Sequence, residues 1–284
     1  MYRRALVGWF ALESKVNIDC VTRMYHGERT QLAWRCIVLD WFGSLKAIGL
    51  SLFTGVVILA LSMTSMAYAH DSNTATVKSV RAAHNVALDL DPNSPFWRDA
   101  LPVSFAGDRY GRPVPQLRTE VRSRWTDDSL YLLFVCPYQT LNLKPSPETK
   151  TETNQLWKWD VAEAFIGSDF QHIHRYKEFE LSPQGEWLDL DIDLDQPHHE
   201  NGWTWNSGFE TTARIDSNKK IWYGAMRIPF ASIDAQPPHA GSLLRVNFFR
   251  GQGAPPDRQL LAWQAPMGES FHVPERFGQL ELVK

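Results

Sequence analysis

Tryptophan is the residue type in this sequence best suited to binding chemistry: there are twelve in 284 residues, nine of them from position 70 onward. An indole face stacks on the C–H face of a pyranose ring, while the sugar's hydroxyls need carboxylate, amide or guanidinium partners at the ring edge. Most tryptophans serve as core, but two stand apart. Trp157 lies in the polar approach Asn154-Gln-Leu-Trp-Lys-Trp-Asp-Val-Ala-Glu163, on a loop that enters a strand. Trp263 ends a strand and runs into the loop Gln264-Ala-Pro-Met-Gly268. Glu163 shares its alternating face with Val161 and Phe165, and a carboxylate on an apolar face is costly unless partnered. Its position therefore favours a function or a buried ion pair.

The elements that must carry these residues read as all-β. Segments rich in β-branched and aromatic residues recur between Gly, Pro, Asp and Asn clusters, and long helical periodicity is almost absent. The clearest hairpin has Gln116 to Trp125 as its first arm, Thr126-Asp-Asp-Ser129 as its turn and Leu130 to Cys136 as its second arm. In the first arm Arg118, Glu120, Arg122 and Arg124 alternate with less polar residues, which predicts a strand with one face in solvent. The second arm is apolar on both faces and belongs in mid-sheet. Further strands are expected over Val161–Ile166, Tyr176–Ser182, Trp187–Ile192, Phe209–Ile215, Ile221–Ile228, Leu243–Arg250 and Leu260–Trp263. Single helical turns are expected over Ser94–Ala100 and Phe230–Asp234. Residues 70–284 read as a single domain, an antiparallel β-sandwich or jelly roll.

Four runs in order resemble the family 9 carbohydrate-binding modules and their DOMON-like relatives among stand-alone secreted bacterial proteins. They are Trp157-x-x-Asp160-x-x-Glu163-x-Phe165-Ile166; Tyr176 to Pro183 with Gly185 and Trp187-Leu-Asp189; Arg258-x-x-Leu-Ala-Trp263; and Phe271-His-Val-Pro-x-Arg-Phe277-Gly278. The resemblance implies a non-catalytic sugar-binding β-sandwich in which two tryptophans sandwich a terminal sugar and a carboxylate bonds its hydroxyls. Those roles map onto Trp157, Trp263 and Glu163. The family's basic and amide ligands do not map cleanly; Arg258 and Asn247 are substitutes, and preference for a reducing end is in doubt. Structural calcium also occurs in the family. Asp189, Asp191 and Asp193, with Asp195, would supply oxygen ligands, although alternating Asp on one strand face is more often a solvated edge.

Other classes are weaker. DOMON relatives include haem domains, and His172, His174, Met226 and Met267 are the axial-ligand types such a domain needs; Cys-x-x-Cys-His, the covalent attachment motif, is absent. A glycosidase needs two carboxylates across a cleft, for which Glu163 would pair with Glu178 or Glu180. Pro197-His-His-Glu200 is a poor metal motif, because adjacent residues of a strand point to opposite sides. Gly-x-Ser-x-Gly, P-loop and dinucleotide fingerprints are missing, and no catalytic residue is assigned. The expected partner is an oligo- or polysaccharide, with the protein acting alone or as an accessory to polysaccharide hydrolysis.

Composition bounds the rest. Lys46 precedes the uncharged apolar run Ala47 to Met63, and the small-residue site Ala67-Tyr-Ala69 follows. That order is a secretory signal, and it implies periplasmic or extracellular residence without a stable membrane anchor after cleavage. The runner-up is an anchor, since 17 apolar residues lie at the lower edge of what spans a bilayer. Residues 1–45 sit ahead of this signal and are read as preceding the true start. Residues 70–284 carry 22 basic against 28 acidic side chains, which argues against a nucleic-acid surface. Cys136 is the only cysteine there; it reads as a buried small hydrophobe, with no intrachain disulfide. N-terminal sequencing of the exported product should begin at His70, and a mature start well before it would refute the cleavage site.

Overall fold

The computed structural model describes residues 74–284. The expected signal segment 47–63, its cleavage site, Cys20 and Cys36 lie outside the described residues. Thirteen strands follow one another: β1 (Thr76–Arg81), β2 (Val103–Phe105), β3 (Gly107–Asp108), β4 (Thr119–Trp125), β5 (Ser129–Pro137), β6 (Val161–Gly167), β7 (Arg175–Leu181), β8 (Trp187–Asp193), β9 (Glu210–Asp216), β10 (Ile221–Pro229), β11 (Leu243–Gln252), β12 (Gln259–Ala262) and β13 (Gly278–Val283). One helical turn, Phe230–Ile233, breaks the series after β10. No helix among the described residues is long and apolar enough to cross a membrane.

Hydrogen bonding runs β8-β7-β6-β11-β13-β1-β4-β5-β10-β9, with β12 added on β11 and β3, and β2 on β4. The open path folds over into a sandwich because its two halves share one core. Leu130, Leu132 and Phe134 of β5 and Met226 and Ile228 of β10 pack with Ala162, Ala164 and Ile166 of β6 and Phe248 of β11. The rings of Phe134 and Phe248 meet edge-on at 5.9 Å. Gly224 of β10 lets the layers approach: a Cβ there would lie 2.9 Å from Leu181 of β7 and 2.8 Å from Trp222. Cys136 lies in this core, and burial pushes its thiol up to about 11, far from reactive range.

The expected antiparallel sandwich forms, with one departure. Strand β1 runs parallel to both neighbours, β13 and β4. The first strand slots between the last strand and a middle one, a pairing between distant segments that no local pattern encodes.

The charged face of β4 also departs from expectation. Arg124 is buried, and its guanidinium and Nε donate to the carbonyls of Phe96 at 2.8 Å, Arg81 at 3.0 Å and Val80 at 3.0 Å. Arg122 reaches the carbonyls of Ala100 at 3.1 Å and Trp97 at 3.3 Å. The segment between β1 and β2 lies over this face as a strap. Its Trp97 and Ala100 pack on Tyr131 and Leu133 of β5 and Ala225 of β10, with Leu88, Leu90 and Phe96 around them. This second cover explains why β5 is apolar on both faces. Strap residues 94–100 form successive turns. Trp97 is fully buried, so Trp97→Ala should cost about 3–5 kcal/mol in urea unfolding. A loss below about 1 kcal/mol would mean that the strap is not part of the cooperative fold.

Candidate functional site

The opposite face of β6 builds the site. Alternation sends Ala162, Ala164 and Ile166 inward and turns Val161, Glu163 and Phe165 outward. Register then places Glu180 of β7 opposite Glu163 and Glu178 opposite Phe165. Leu188 and Leu190 of β8 continue the row beyond Glu180 and Glu178, and Phe249 of β11 flanks Glu163 on the other side. Three carboxylates thus sit in a second apolar cluster that includes Leu156, Phe165, Tyr176, Ile192 and Phe277.

Above this floor is a cavity of about 530 Å³, reached by Trp157, Glu163, Phe165, Glu178, Arg258 and Phe271, with His199, His272, Glu200 and Glu269 also lining it. Phe271 stacks on Phe249 with centroids 4.2 Å apart and planes 14° apart. The loop carrying Phe271 is held by Arg109, which donates to the carbonyl of Glu269 at 2.8 Å. Arg109 also pairs with the Glu269 carboxylate, as does the Tyr110 hydroxyl. His272 stacks on Phe165 at 5.2 Å, hydrogen-bonds through Nδ1 to the Tyr176 hydroxyl at 2.6 Å and meets His199 edge-on at 4.8 Å.

Trp157 is presented on a short 3₁₀ turn, Leu156–Lys158, whose Leu156 is the buried anchor. Arg258 braces the turn: one terminal nitrogen donates to the carbonyls of Trp157 at 2.9 Å and Trp159 at 2.6 Å, the other to Gly253 at 2.9 Å. Asp160 lies 4.0 Å from the guanidinium and accepts from the Gly253 N–H at 2.6 Å. Arg258 lies flat across β11 only because residue 251 is glycine; a Cβ there would sit 2.3 Å from its guanidinium.

Electrostatically the floor is unusual. Glu163, Glu178 and Glu180 are 3%, 4% and 0% exposed. Burial, then the repulsion of Glu178, raises Glu163 well above the ordinary carboxylate range. Burial pushes Glu178 up to about 7. Burial and the two neighbouring carboxylates raise Glu180. No well-aligned donor reaches either Glu180 oxygen or Glu178 Oε2; the closest partners are the carboxyls of Glu178 and Glu180 themselves and the backbone of Trp157 beside Glu180, and His272 Nε2 lies 4.0 Å from Glu178 Oε2. Burial and His199 lower His272 to about 4, so its ring is neutral at pH 7.

Of the sequence-derived residues, the structure brings Trp157, Glu163 and Arg258 to one cavity. It does not bring Trp263 there. That indole turns toward the inter-sheet core, 5.8 Å from Phe248, and lies on Gly278, where a Cβ would be 2.5 Å from the ring. A paired-tryptophan clamp is therefore not assembled; the aromatics at the cavity are Trp157, Phe165 and Phe271. Asn247 is buried and consumed by backbone: its amide donates to the Gln264 carbonyl at 2.9 Å, and its oxygen accepts from Gln264 and Phe248 at 3.0 Å.

The aspartates of β8 do not form a calcium cage. Asp191 pairs with Lys177 and Asp193 with Arg175 across the β7 ladder, while Asp189 is buried, accepting from the Ser207 N–H at 2.7 Å beside Glu152. Among the described residues no three His, Cys, Asp or Glu side chains converge for a metal ion. The residues considered for haem are scattered. His172 and His174 pair with Asp169 and Asp195 at the surface, Met226 is in the inter-sheet core and Met267 is exposed. Of the adjacent histidines, His198 bonds Glu200 at 3.1 Å in solvent and only His199 turns to the cavity.

The model of the carbohydrate family 9 binding domain-like family matches residues 103–284. The chain belongs to that family. A family 9 module of Caldicellulosiruptor kristjanssonii in complex with cellotriose shares 13% identity, a TM-score of 0.53, and coverage of 74% of this chain and 94% of that one. A complex of such a module from the same organism with glucose gives a TM-score of 0.50 at 13% identity, covering 72% and 95%. An extracellular protein of Arthroderma benhamiae is 26% identical over 185 residues, 61% of this chain and 81% of that protein. The family 9 fold accounts for the sandwich.

A carboxylate with a raised folded pKa holds its proton in the native state where the unfolded chain has lost it, so it subtracts stability as pH rises from about 4.5 toward its folded value. Glu180→Gln should therefore stabilise the protein by about 1 kcal/mol or more at pH 7 and change it little at pH 4. Thermal melts at the two pH values test this, and a destabilisation at pH 7 would show that Glu180 has an ionic partner.

Proposed function

We propose that this protein is a non-catalytic, exported carbohydrate-binding protein that takes a sugar ring into the cavity on the outer face of β6. The observation that carries this reading is the union of an aromatic wall, Trp157 and Phe271, with the buried carboxylates Glu163 and Glu178 beneath it. An aromatic face for C–H groups and acceptors for hydroxyls are the two requirements of a pyranose. Membership of the family supports it, as do the glucose and cellotriose complexes of the Caldicellulosiruptor module, and the extracellular fungal relative agrees with export.

Binding is favoured over hydrolysis by the placement of the carboxylates. Glycosidase acids flank the scissile bond, with a gap of about 5–10 Å to fit the reaction. Glu163 and Glu178 lie on adjacent strands of one floor and both line the cavity, while Glu180 does not reach it, so the two carboxylates face a ligand from the same side. Arg258 contributes by fixing the Trp157 turn, since its terminal nitrogens are engaged by backbone carbonyls. We assign Trp263 and Asn247 to packing.

A glycan array probed with the wild type should give signals that Trp157→Ala reduces at least tenfold, about 1.4 kcal/mol. Trp263→Ala, measured where it remains folded, should keep the same ligand profile. A blank array, or a profile that depends on Trp263 and ignores Trp157, would refute the assignment.

A further inference from the structure

The charged groups at the cavity divide into those that already have a hydrogen-bond partner and those that do not. Glu269 is held by Arg109 and Tyr110, and Glu200 by His198. The charge of Arg258 faces Asp160, and its terminal N–H groups go to three backbone carbonyls. His272 carries no charge at pH 7, and its Nδ1 is engaged by Tyr176. What remains is Glu163 and Glu178, both more than nine-tenths buried and both lining the cavity, with no well-aligned donor at Glu178 Oε2. Glu180 adds a third carboxylate directly behind them.

We infer that the cavity selects a sugar bearing a free amino group, a hexosamine unit whose ammonium sits between Glu163 and Glu178 while its ring lies against Trp157 and Phe271. This rests on the saccharide reading above and narrows its ligand class. A hydroxyl supplies a single donor and no charge. An ammonium supplies three donors and a full positive charge to two carboxylates that have no cation at hydrogen-bonding distance, Arg258 acting on Glu163 only from beyond ion-pair range. In a desolvated site that difference is larger than in water, and the indole and phenyl faces add attraction for a cation. N-acetylation removes the charge and two of the donors, so an acetamido sugar forfeits the advantage. The raised proton affinity of Glu178 belongs to the same picture: without a cation at hand, a buried carboxylate keeps its proton.

Calorimetry on the intact chain with three β-1,4-linked disaccharides isolates the amine, because the glucosamine dimer, its di-N-acetyl form and cellobiose differ only at C2. The glucosamine dimer should bind at least tenfold more tightly than either of the others at pH 7. Glu178→Gln should reduce that preference at least fivefold. Asp91→Asn, which removes one exposed carboxylate on the strap, should leave it intact and so exclude general attraction to an acidic protein. Glutamine is isosteric with glutamate, and a melt verifies that the Glu178→Gln protein is folded; the wild-type comparison is decisive in any case. Cellobiose binding as tightly as the diamine would overturn the amine inference and leave the sugar site standing. A preference that survives Glu178→Gln, or that Asp91→Asn also removes, would overturn it too. If none of the three binds, the inference falls, and the glycan array decides whether the saccharide reading falls with it.

Discussion

The double burial of β6 is the constraint on which the site depends. Its even residues, Ala162, Ala164 and Ile166, are small or slender enough to let β6 pack on the opposite layer, and they belong wholly to the inter-sheet core. Alternation then leaves Val161, Glu163 and Phe165 no choice but the outer face. That face would be solvent in a plain sandwich. Here it is covered by the Trp157 turn and the Phe271 loop, so a carboxylate that would otherwise be solvated becomes buried. A one-residue slip of β6 would send Glu163 into the inter-sheet core and Ala162 and Ala164 to the cavity, destroying both layers at once. Register and site are the same fact.

The cover is not self-supporting, and the structure holds each side by a different arginine. Arg258 ties the 3₁₀ turn of Trp157 to β12, and Arg109 ties the Phe271 loop to the short β3 region. Both donate to backbone carbonyls, which fixes the path of the chain whatever ligand is present. The planar guanidinium suits this work because it bridges several carbonyls while staying charged. The cost is specific: Gly251 must lack a side chain for Arg258 to cross β11.

Much of this was legible in the sequence because it is local. Strands β5, β6, β7, β8, β10 and β11 announce themselves by composition and alternation, within a residue or two of their ends. Trp157 and Glu163 are separated by one turn and half a strand, so their relation survives any tertiary arrangement. Trp263 was misplaced for the opposite reason. A residue just after a strand turns to one layer or the other according to what lies across from it, and Gly278, which leaves room for the indole, comes from a strand fifteen residues later. The aspartates of β8 show the same limit. Their alternation was visible, but that Lys177 and Arg175 oppose Asp191 and Asp193 follows from the β7 register. The arginines of β4 looked like a solvent face because the strap that accepts their hydrogen bonds lies about 25 residues upstream. Phe271 and His272 sit in a run with the family's pattern, yet nothing local indicates that they close the cavity.

The buried carboxylates then pose a question about why such a floor is kept. Three neighbouring glutamates with no ion-paired cation work against the fold, since each loses hydration and they repel one another. Apolar residues of similar size would pack on Leu190, Phe165 and Phe249 with no such loss. Strands β6 and β7 have the contacts to bear that cost: one face is fixed by the inter-sheet core and the other by aromatic stacking around Phe165, Tyr176 and His272. A locally unfavourable group held rigidly by favourable surroundings is preorganised for whatever restores its missing partner. Donors that reached Glu163 and Glu178 would return part of that stability as affinity, in proportion to their number and charge.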